Sequence, residues 1–305
     1  MAMLPDPIAQ TATRSSGGSS WEPSAELLSE LRAIRIRIDG TLNTFLADIR
    51  AEMAGVAPDA LLPIDEVIRL IGAGGKRLRP TFCYWGFRAG GGSDGQPIER
   101  AAAALELLHT MALIHDDLMD RSSERRGVPA SAHHLADEAR TRGASDPDHI
   151  GRSLALLAGD LAVVLADRLL LTSGFDAEIL VPALDRYHRM RTDMALGQCL
   201  DVASDADPIA VAGLKGGSYT VEGPLQIGAL LAVCSPEVLT ALADYGAPVG
   251  LAFQLRDDER DGDIPAVPGR VAQLIAQGRA ALDVPGLEPS AVASLRALAD
   301  LVGAG

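Results

Sequence analysis

Long segments of this 305-residue chain consist mainly of alanine and leucine, with apolar side chains recurring every three or four residues. Leu27, Leu31, Ile34 and Ile38 follow this spacing in the first such segment. Alanine and leucine lose little side-chain entropy in a helix, and aromatic residues make up only 4% of the chain. No segment alternates with the period of two that a half-buried strand requires. We therefore predict an all-α fold.

Clusters of turn-forming residues divide the chain into long helical segments. They lie at 90–95, 142–148 and 204–208. The segments between them predict helices at about 98–119, 153–173, 178–203 and 236–256. Residues 1–24 are rich in Ser, Gly, Pro and Thr and have no helical period, so we predict a disordered N-terminal tail. Several helices are apolar around most of their circumference, which predicts one packed helical domain over residues 25–305.

The charge of the chain limits its partners. A net charge of −14 argues against a nucleic-acid partner, which is bound through basic patches. Cys83, Cys199 and Cys234 are far apart in apolar surroundings and are interpreted as buried thiols of a reduced protein. No run of about 18 apolar residues predicts a membrane span. We expect a cytoplasmic protein with no stable membrane insertion.

Three carboxylates, the first acidic cluster, stand at the end of an apolar segment. Asp116, Asp117 and Asp120 directly follow the run Met-Ala-Leu-Ile-His at 111–115. Positions 116 and 120 are one helical turn apart, so their side chains leave the same face of a helix. Like charges repel at that distance, and a hard divalent cation with a preference for oxygen ligands would neutralise them. This segment therefore predicts a metal site.

A second acidic cluster, Asp257, Asp258 and Asp261, has the same spacing at the end of another apolar segment. A single acidic cluster at a helix end is usually a solvated surface feature. Two clusters of the same spacing are harder to explain in that way, because negative charge near a helix C-terminus opposes the helix dipole. Together they predict a site for more than one metal ion, shared by two helices.

Basic residues accompany the acidic ones. The chain has only two lysines, and Lys76 lies with Arg79 directly after a Gly-Gly pair. Glycines allow the backbone to approach an anion, and the helix start that follows offers free N–H groups. Arg125 and Arg126 follow the first acidic cluster, and Lys215 begins a Lys-Gly-Gly-Ser-Tyr-Thr segment. Cations beside metal-binding carboxylates predict diphosphate ligands.

At this point the sequence resembles a known family. The segments GGKRLRP, LLHTMALIHDDLMD, RRG-x-P, GQCLD, K-x-x-SYT and FQLRDD occur in the order seen in trans-prenyl diphosphate synthases, including geranylgeranyl diphosphate synthases, over about residues 30–261. The resemblance implies the isoprenoid synthase fold, a single-domain helical bundle around a central cavity. It also implies a homodimer.

The resemblance assigns roles to individual residues. It implies that three Mg²⁺ ions are bound by Asp116, Asp117, Asp120, Asp257, Asp258 and Asp261. The positions that match isopentenyl diphosphate ligands are Lys76, Arg79, His109 and Arg126. Those on the allylic side, with the glutamine before the second acidic cluster, are Arg125, Lys215, Gln198 and Gln254. Catalysis is expected to depend most on Asp116, Asp117, Asp120, Lys215 and Asp257.

The implied activity joins isopentenyl diphosphate to an allylic diphosphate. Product length in the family is commonly limited just before the first acidic cluster, where this chain has Met111 and Ala112. Methionine is flexible and intermediate in size, so a C20 product, geranylgeranyl diphosphate, is expected, with farnesyl and C25 products open. Met111 as an ordinary core residue is an equally open interpretation.

Two departures from the family pattern keep alternatives open. The chain is shorter after Asp261 than the pattern implies, and Gly216 replaces the threonine that usually follows the lysine. A class I terpene cyclase would also ionise an allylic diphosphate with bound magnesium, but it has no use for an isopentenyl diphosphate pocket. A regulatory subunit of a heteromeric synthase would tend to lose the acidic clusters, and both are present.

Overall fold

The structure, a computed structural model, describes residues 24–203, 213–261 and 268–304. The helices of the first part are α1 (Ala25–Met53), α2 (Leu62–Gly72), α3 (Leu78–Ala89), α4 (Gln96–Met119), α5 (Ser131–Thr141), α6 (Pro147–Leu171) and α7 (Ala177–Ala203). A π-helical segment (Gly213–Glu222) and four further helices follow, α8 (Gly223–Leu231), α9 (Pro236–Asp261), α10 (Arg270–Ala281) and α11 (Pro289–Ala304). The all-α prediction is confirmed.

Short elements interrupt the helices of the first part. A 3₁₀ turn, Pro58–Leu61, precedes α2. A two-residue antiparallel pair, β1 (Glu124–Arg125) with β2 (Val128–Pro129), forms a small hairpin after α4. This pair is too short to produce the alternating pattern that a strand prediction needs.

Local sequence signals account for where the helices begin. Ser24 caps α1 by accepting a hydrogen bond from the backbone N–H of Leu27 at 3.1 Å. Asp146 caps α6 in the same way through the N–H of His149, and Pro147 occupies its first turn. The predicted start of this helix at residue 153 was six residues late because that cap was overlooked. Residues 1–23 of the predicted tail at 1–24 lie outside the described residues, whereas Ser24 is the cap of α1.

The core runs along α4, which is buried over most of its length. It packs against α6 on one side and against α1 and α3 on others. Further along the chain, α9 packs on the π-helical segment and on α10. The first acidic cluster ends α4 and the second ends α9, so each cluster stands at the end of a helix that packs in the core.

Helices α3 and α8 cross at very short range through two glycines. A Cβ atom at Gly86 would stand 2.1 Å from the carbonyl oxygen of Leu225, and one at Gly228 would stand 2.0 Å from that of Cys83. No other residue fits at either position without separating the helices. This contact fixes α8 against the helix that begins at the basic Gly-Gly segment.

Among the described residues one helix, Pro236–Arg260, has the length and hydropathy of a membrane span, and 56% of the apolar window is buried inside the bundle, as in a core helix. The prediction of three buried thiols is confirmed for Cys83 alone. Cys83 is buried, Cys234 is partly buried and Cys199 is exposed on α7.

Candidate active site

The segment between α2 and α3 forms a glycine turn, residues 73–77. Gly74 and Gly75 have positive φ angles of 96° and 151°. Arg77 has a φ of 52°, in the left-handed region that residues other than glycine rarely adopt. A Cβ at Gly75 would lie 3.0 Å from Nη2 of Arg126, so glycine permits that guanidinium to pack against the turn. The turn is thus shaped to receive cations from another part of the chain.

The buried side chain of Arg77 stabilises this turn. Only 3% of it is exposed, and its guanidinium donates to the carboxylates of Asp39 and Glu106, each at 2.7 Å. It also donates to the carbonyl of Ile71 at 2.8 Å. Since a buried guanidinium needs such partners, Arg77 has a structural role and fixes the backbone on which its neighbours stand.

Arg126 reaches the same place from the hairpin after the first acidic cluster. Its Nη1 donates to the carbonyl oxygen of Gly74, and its Nη2 lies 3.4 Å from Oε1 of Glu106. Glu106 is 2% exposed and therefore neutralises two guanidinium groups from within the core. Burial lowers the pKa of Arg126, an effect that Glu106 opposes and Arg77 reinforces.

Arg79 lies on the first turn of α3 and points to the π-helical segment. Its Nη2 donates to Oγ1 of Thr220 at 2.9 Å, and its Cζ is 4.3 Å from the ring centroid of Tyr219. The ring of His109, on α4, is 6.2 Å from that of Tyr219. Arg79, His109 and Arg126, with Tyr219 and Thr220, form what we call the arginine pocket.

The arginine pocket carries excess positive charge. Burial, followed by the fields of Arg79 and Arg126, holds the pKa of His109 well below its ordinary value. The ring is therefore neutral near pH 7. Its Nδ1 and Nε of Arg79 are buried and contact no hydrogen-bond partner among the described residues. Buried polar atoms without partners, surrounded by cations, are what an anion with several oxygens would satisfy.

The first acidic cluster lies beside this pocket. Nε of Arg125 donates to Oδ1 of Asp117 at 2.8 Å, and Nη2 of Arg125 is 3.9 Å from Asp116. Asp117 is buried, and its Oδ2 has no hydrogen-bond partner in the described part of the chain. Asp116 is half-buried and Asp120, which caps α4, is exposed. Gln198 is placed at this end as well, with its amide 3.7 Å from the sulfur of Met119.

The second acidic cluster lies on the last turns of α9. Gln254 donates to Asp258 and Arg260 donates to Asp257, each at 2.6 Å. Lys76 stands next to Asp257: burial lowers the pKa of its ammonium group, an effect that the carboxylate of Asp257 opposes. Asp261 ends the helix, and its side chain lies outside what the structure describes, as does that of Lys215.

The glycine turn lies between the two acidic clusters and contacts residues next to each of them. On one side it receives Arg126, which follows the first cluster, and on the other it presents Lys76 to Asp257. The structure therefore places the four predicted isopentenyl diphosphate ligands in two separate groups. Arg79, His109 and Arg126 are brought together, whereas Lys76 lies at the second acidic cluster.

The donor set fits hard divalent cations. In the described residues no group of three His, Cys, Asp or Glu side chains converges closely enough to hold a metal ion alone. Magnesium, however, is commonly held by one or two carboxylates with substrate phosphates and water completing its shell. Asp116 is half-buried at a helix end, and Asp117 has an unpaired buried oxygen. Such carboxylates could hold magnesium once a diphosphate supplies the remaining oxygens.

Some residues of the site escaped sequence reasoning. Tyr219 and Thr220 belong to the arginine pocket, whereas Glu106 and Asp39 hold Arg77 beneath it. The signal for Glu106 was present, because a carboxylate stands alone in the apolar run Ala-Ala-Ala-Ala-Leu-Glu-Leu-Leu at 101–108. A charge inside such a run requires a buried partner. Tyr219 and Thr220 lie in the Lys-Gly-Gly-Ser-Tyr-Thr segment that was singled out in the sequence, but no local pattern indicated that they meet Arg79.

Comparison with known proteins agrees with this geometry. The chain is 32% identical over 266 residues to a short chain isoprenyl diphosphate synthase of Methanothermobacter thermautotrophicus, covering 84% of this chain and 76% of the relative. It is 32% identical to a geranylgeranyl diphosphate synthase of Methanosarcina mazei, covering 71% of this chain and 66% of that one.

A solved structure is similar over nearly its whole length. A geranylgeranyl pyrophosphate synthase of Corynebacterium glutamicum, complexed with isoprenyl diphosphate and magnesium, superposes with a TM-score of 0.80 at 28% identity. The superposition covers 87% of this chain and 97% of that one. The polyprenyl synthetase family profile matches residues 64–263, a span that contains both acidic clusters and the arginine pocket. The chain belongs to the polyprenyl synthetase family.

Proposed function

We propose that the chain is a trans-prenyltransferase that joins isopentenyl diphosphate to an allylic diphosphate. The observation that carries this proposal is the arginine pocket beside the first acidic cluster. Arg79, His109 and Arg126 form a cationic site that needs no metal, whereas Asp116 and its neighbours form a site that needs one. Two diphosphates bound in two different ways are what this reaction requires.

The reaction begins with breakage of the bond between C1 of the allylic substrate and its diphosphate, which leaves with the electron pair. The carboxylates of the two acidic clusters would hold magnesium, which would neutralise the charge that builds on that leaving group. Arg125, held by Asp117, adds a cation at the same place. The double bond of isopentenyl diphosphate then attacks C1, and a proton is lost from C2 of the isopentenyl unit to the departed diphosphate. No side-chain base is required.

The arginine pocket orients the second substrate. Arg79 and Arg126 bind its diphosphate, and the uncharged ring of His109 donates a hydrogen bond to it. The apolar residues of α4 and α6 exclude water that would otherwise capture the allylic cation. The positioning of the two substrates is therefore the main task of the protein.

We propose a C20 product. Half-buried Met111 and Ala112 lie on α4 one turn before the acidic cluster, so neither blocks the path of a growing chain as an aromatic ring would. The relative in Methanosarcina mazei is a geranylgeranyl diphosphate synthase, which supports the same length. We also propose three magnesium ions, the number that the family resemblance implies; six carboxylates in two clusters offer more oxygen ligands than one ion uses.

We propose a cytoplasmic homodimer that pairs through α6 and α7. Leu157, Val164 and Leu171 recur every seven residues on α6 and are 52%, 59% and 54% exposed. On α7, Leu196 and Leu200 are 55% and 36% exposed. Exposed apolar side chains at helical spacing are typical of a face that a second copy covers.

The test is an incubation of the purified chain with Mg²⁺, isopentenyl diphosphate and each allylic primer, followed by sizing of the products. We expect geranylgeranyl diphosphate with isopentenyl units incorporated. A cyclic product without isopentenyl incorporation would identify a terpene cyclase. No product in any combination would indicate a subunit that needs a partner.

A further inference from the structure

A buried carboxylate on α2 belongs neither to the arginine pocket nor to an acidic cluster. Glu66 is 1% exposed and lies on the buried face of α2 with Ile64, Val67 and Leu70. A buried ion pair seldom stabilises a fold more than apolar side chains of the same size would. Stability alone therefore does not explain a carboxylate at this position, and its contacts indicate what it does.

Glu66 fixes the side chain of Arg69, which lies about one turn later on the same helix. Its two carboxylate oxygens accept from Nη2 and Nε of Arg69 at 2.6 and 2.8 Å. Nδ1 of His134, on α5, lies 2.8 Å from Oε2 of Glu66, and it carries the hydrogen because a carboxylate only accepts. Two parallel hydrogen bonds thus hold the guanidinium of Arg69 in one orientation.

Arg69 extends from Glu66 to the hairpin that follows the first acidic cluster. The same Nη2 donates to the carbonyl oxygen of Pro129, in β2, at 2.9 Å. Arg126 and Gly127 form the two-residue turn of this hairpin and have φ of 56° and 74°. The short strand β2 therefore connects Arg126, at the tip of the hairpin, to the carbonyl that Arg69 holds.

Two contacts join the hairpin to α2 and to the glycine turn that directly follows α2. Arg69 with Pro129 is one of them. The other runs from Nη1 of Arg126 to the carbonyl oxygen of Gly74. On its other side the hairpin is joined to α4, where Arg125 donates to the first acidic cluster. The contacts with α2 and its turn thus set the place of Arg126, and the contact with α4 sets that of Arg125.

We propose that Glu66 is a positioning residue for prenyl transfer: it orients Arg69, which holds β2 and keeps Arg126 at the glycine turn. This inference rests on the proposed function, in which Arg126 binds the diphosphate of isopentenyl diphosphate. The effect of Glu66 is confined to that substrate, because Arg125, on the allylic side, is held from α4.

Steady-state kinetics of Glu66→Gln tests the proposal. Glutamine keeps the shape of the side chain, but it lacks the charge and turns an NH₂ donor toward the donors of Arg69 or His134. The KM for isopentenyl diphosphate should rise about tenfold, while kcat and the KM for the allylic primer keep their native values. Asp65→Asn is the matched control: it removes the neighbouring carboxylate of α2, which forms an exposed pair with Arg50, and should leave all three constants unchanged. Equal increases for both substrates, or native constants in Glu66→Gln, would overturn the proposal.

A second variant breaks the contact at its other end. Arg69→Gln removes the donor to Pro129 and leaves Glu66 in place, so it should raise the KM for isopentenyl diphosphate by the same factor. A native KM in Arg69→Gln, beside a raised KM in Glu66→Gln, would show that Glu66 does not act through the hairpin and would contradict the assignment.

Hydrogen exchange of the chain without substrate separates this inference from the proposed function. The amide of Ala130 donates to the carbonyl oxygen of Ser123 at 3.0 Å, at the base of the hairpin. Peptides over residues 122–130 should exchange faster in both variants than in the native chain and in Asp65→Asn, whereas α4 keeps its native exchange. Faster exchange throughout the chain, or native exchange in the hairpin, would overturn the positioning role. A loosened hairpin in variants of a chain that transfers no prenyl group would support the positioning of Arg126 by Glu66 and refute the proposed function.

Discussion

The two acidic clusters have the same spacing in the sequence but different surroundings in the fold. Around the first, Arg77 and Arg126 share the carboxylate of Glu106, and the side chains of Arg77 and Glu106 are each only 2% exposed. Around the second, Arg260 pairs with Asp257 within α9, and these two side chains are 56% and 30% exposed. The ion pairs of the first region are therefore buried and that of the second is open to solvent, so we expect the second region to depend more on the metal and the diphosphate.

The largest effect is expected from Glu106, which holds the first region together. Glu106→Ala leaves Arg77 and Arg126 without their shared carboxylate in the core and should lower the free energy of unfolding by about 3 kcal/mol. Urea denaturation measures it. Glu138→Ala is the control, since its exposed pair with Arg142 at 3.5 Å should contribute less than about 1 kcal/mol. Equal losses in both variants would mean that the first region is not held by buried charge.

A smaller effect is expected from the first acidic cluster itself, on turnover and not on stability. Asp116→Ala removes a metal ligand and should lower kcat about a hundredfold, while relief of like-charge repulsion leaves the melting temperature unchanged or higher. Asp185→Ala, at an exposed carboxylate of α7, should leave both quantities as they are. A lower melting temperature together with the lower kcat would assign Asp116 a structural role.

A substitution of Lys76 tests whether this residue acts with the isopentenyl diphosphate ligands or with the second acidic cluster. Lys76→Ala should raise the KM for isopentenyl diphosphate about tenfold and leave the KM for the allylic primer nearly unchanged, because the loss of one charge-assisted hydrogen bond affects a single substrate. Steady-state kinetics with each substrate varied in turn measures both values. Equal increases in the two would place Lys76 functionally with Asp257 and not with Arg79.

The smallest effect concerns pH. The pKa of His109 is lowered in the folded chain, so as pH falls through the ordinary range of histidine the unfolded state takes up a proton first. The stability that depends on a neutral His109 is therefore present above about pH 6.5 and lost below it. His109→Asn should flatten this loss in urea midpoints measured from pH 7.5 to pH 5. An unchanged slope would show that His109 does not titrate in that window.

Sequence patterns predicted much of this architecture. The helical class, the main helices and the positions of Asp116 and Asp257 at helix ends follow from spacing and from apolar runs, which are local properties. Helix starts were less accurate where a cap such as Asp146 was overlooked. The disordered tail and the division into one domain at 25–305 remain predictions.

What the sequence did not reveal depends on contacts between distant segments. Arg77 stands between Lys76 and Arg79 in the same basic segment, but only the fold shows that Glu106, 29 residues later, pairs with it in the core. The pairing of Arg79 with Thr220 joins residues 141 positions apart and left no local trace. Periodicity identifies which face of a helix is buried, and it does not identify the partner that meets it.

The central claim is that both acidic clusters bind one diphosphate through divalent ions. Crystals of the full chain grown with Mn²⁺ and a non-reactive allylic thiodiphosphate would locate those ions by anomalous scattering. We predict manganese peaks that each contact the same diphosphate, some bound by Asp116 and Asp120 and at least one by Asp257. Peaks confined to one cluster, with the diphosphate bound elsewhere, would contradict the account.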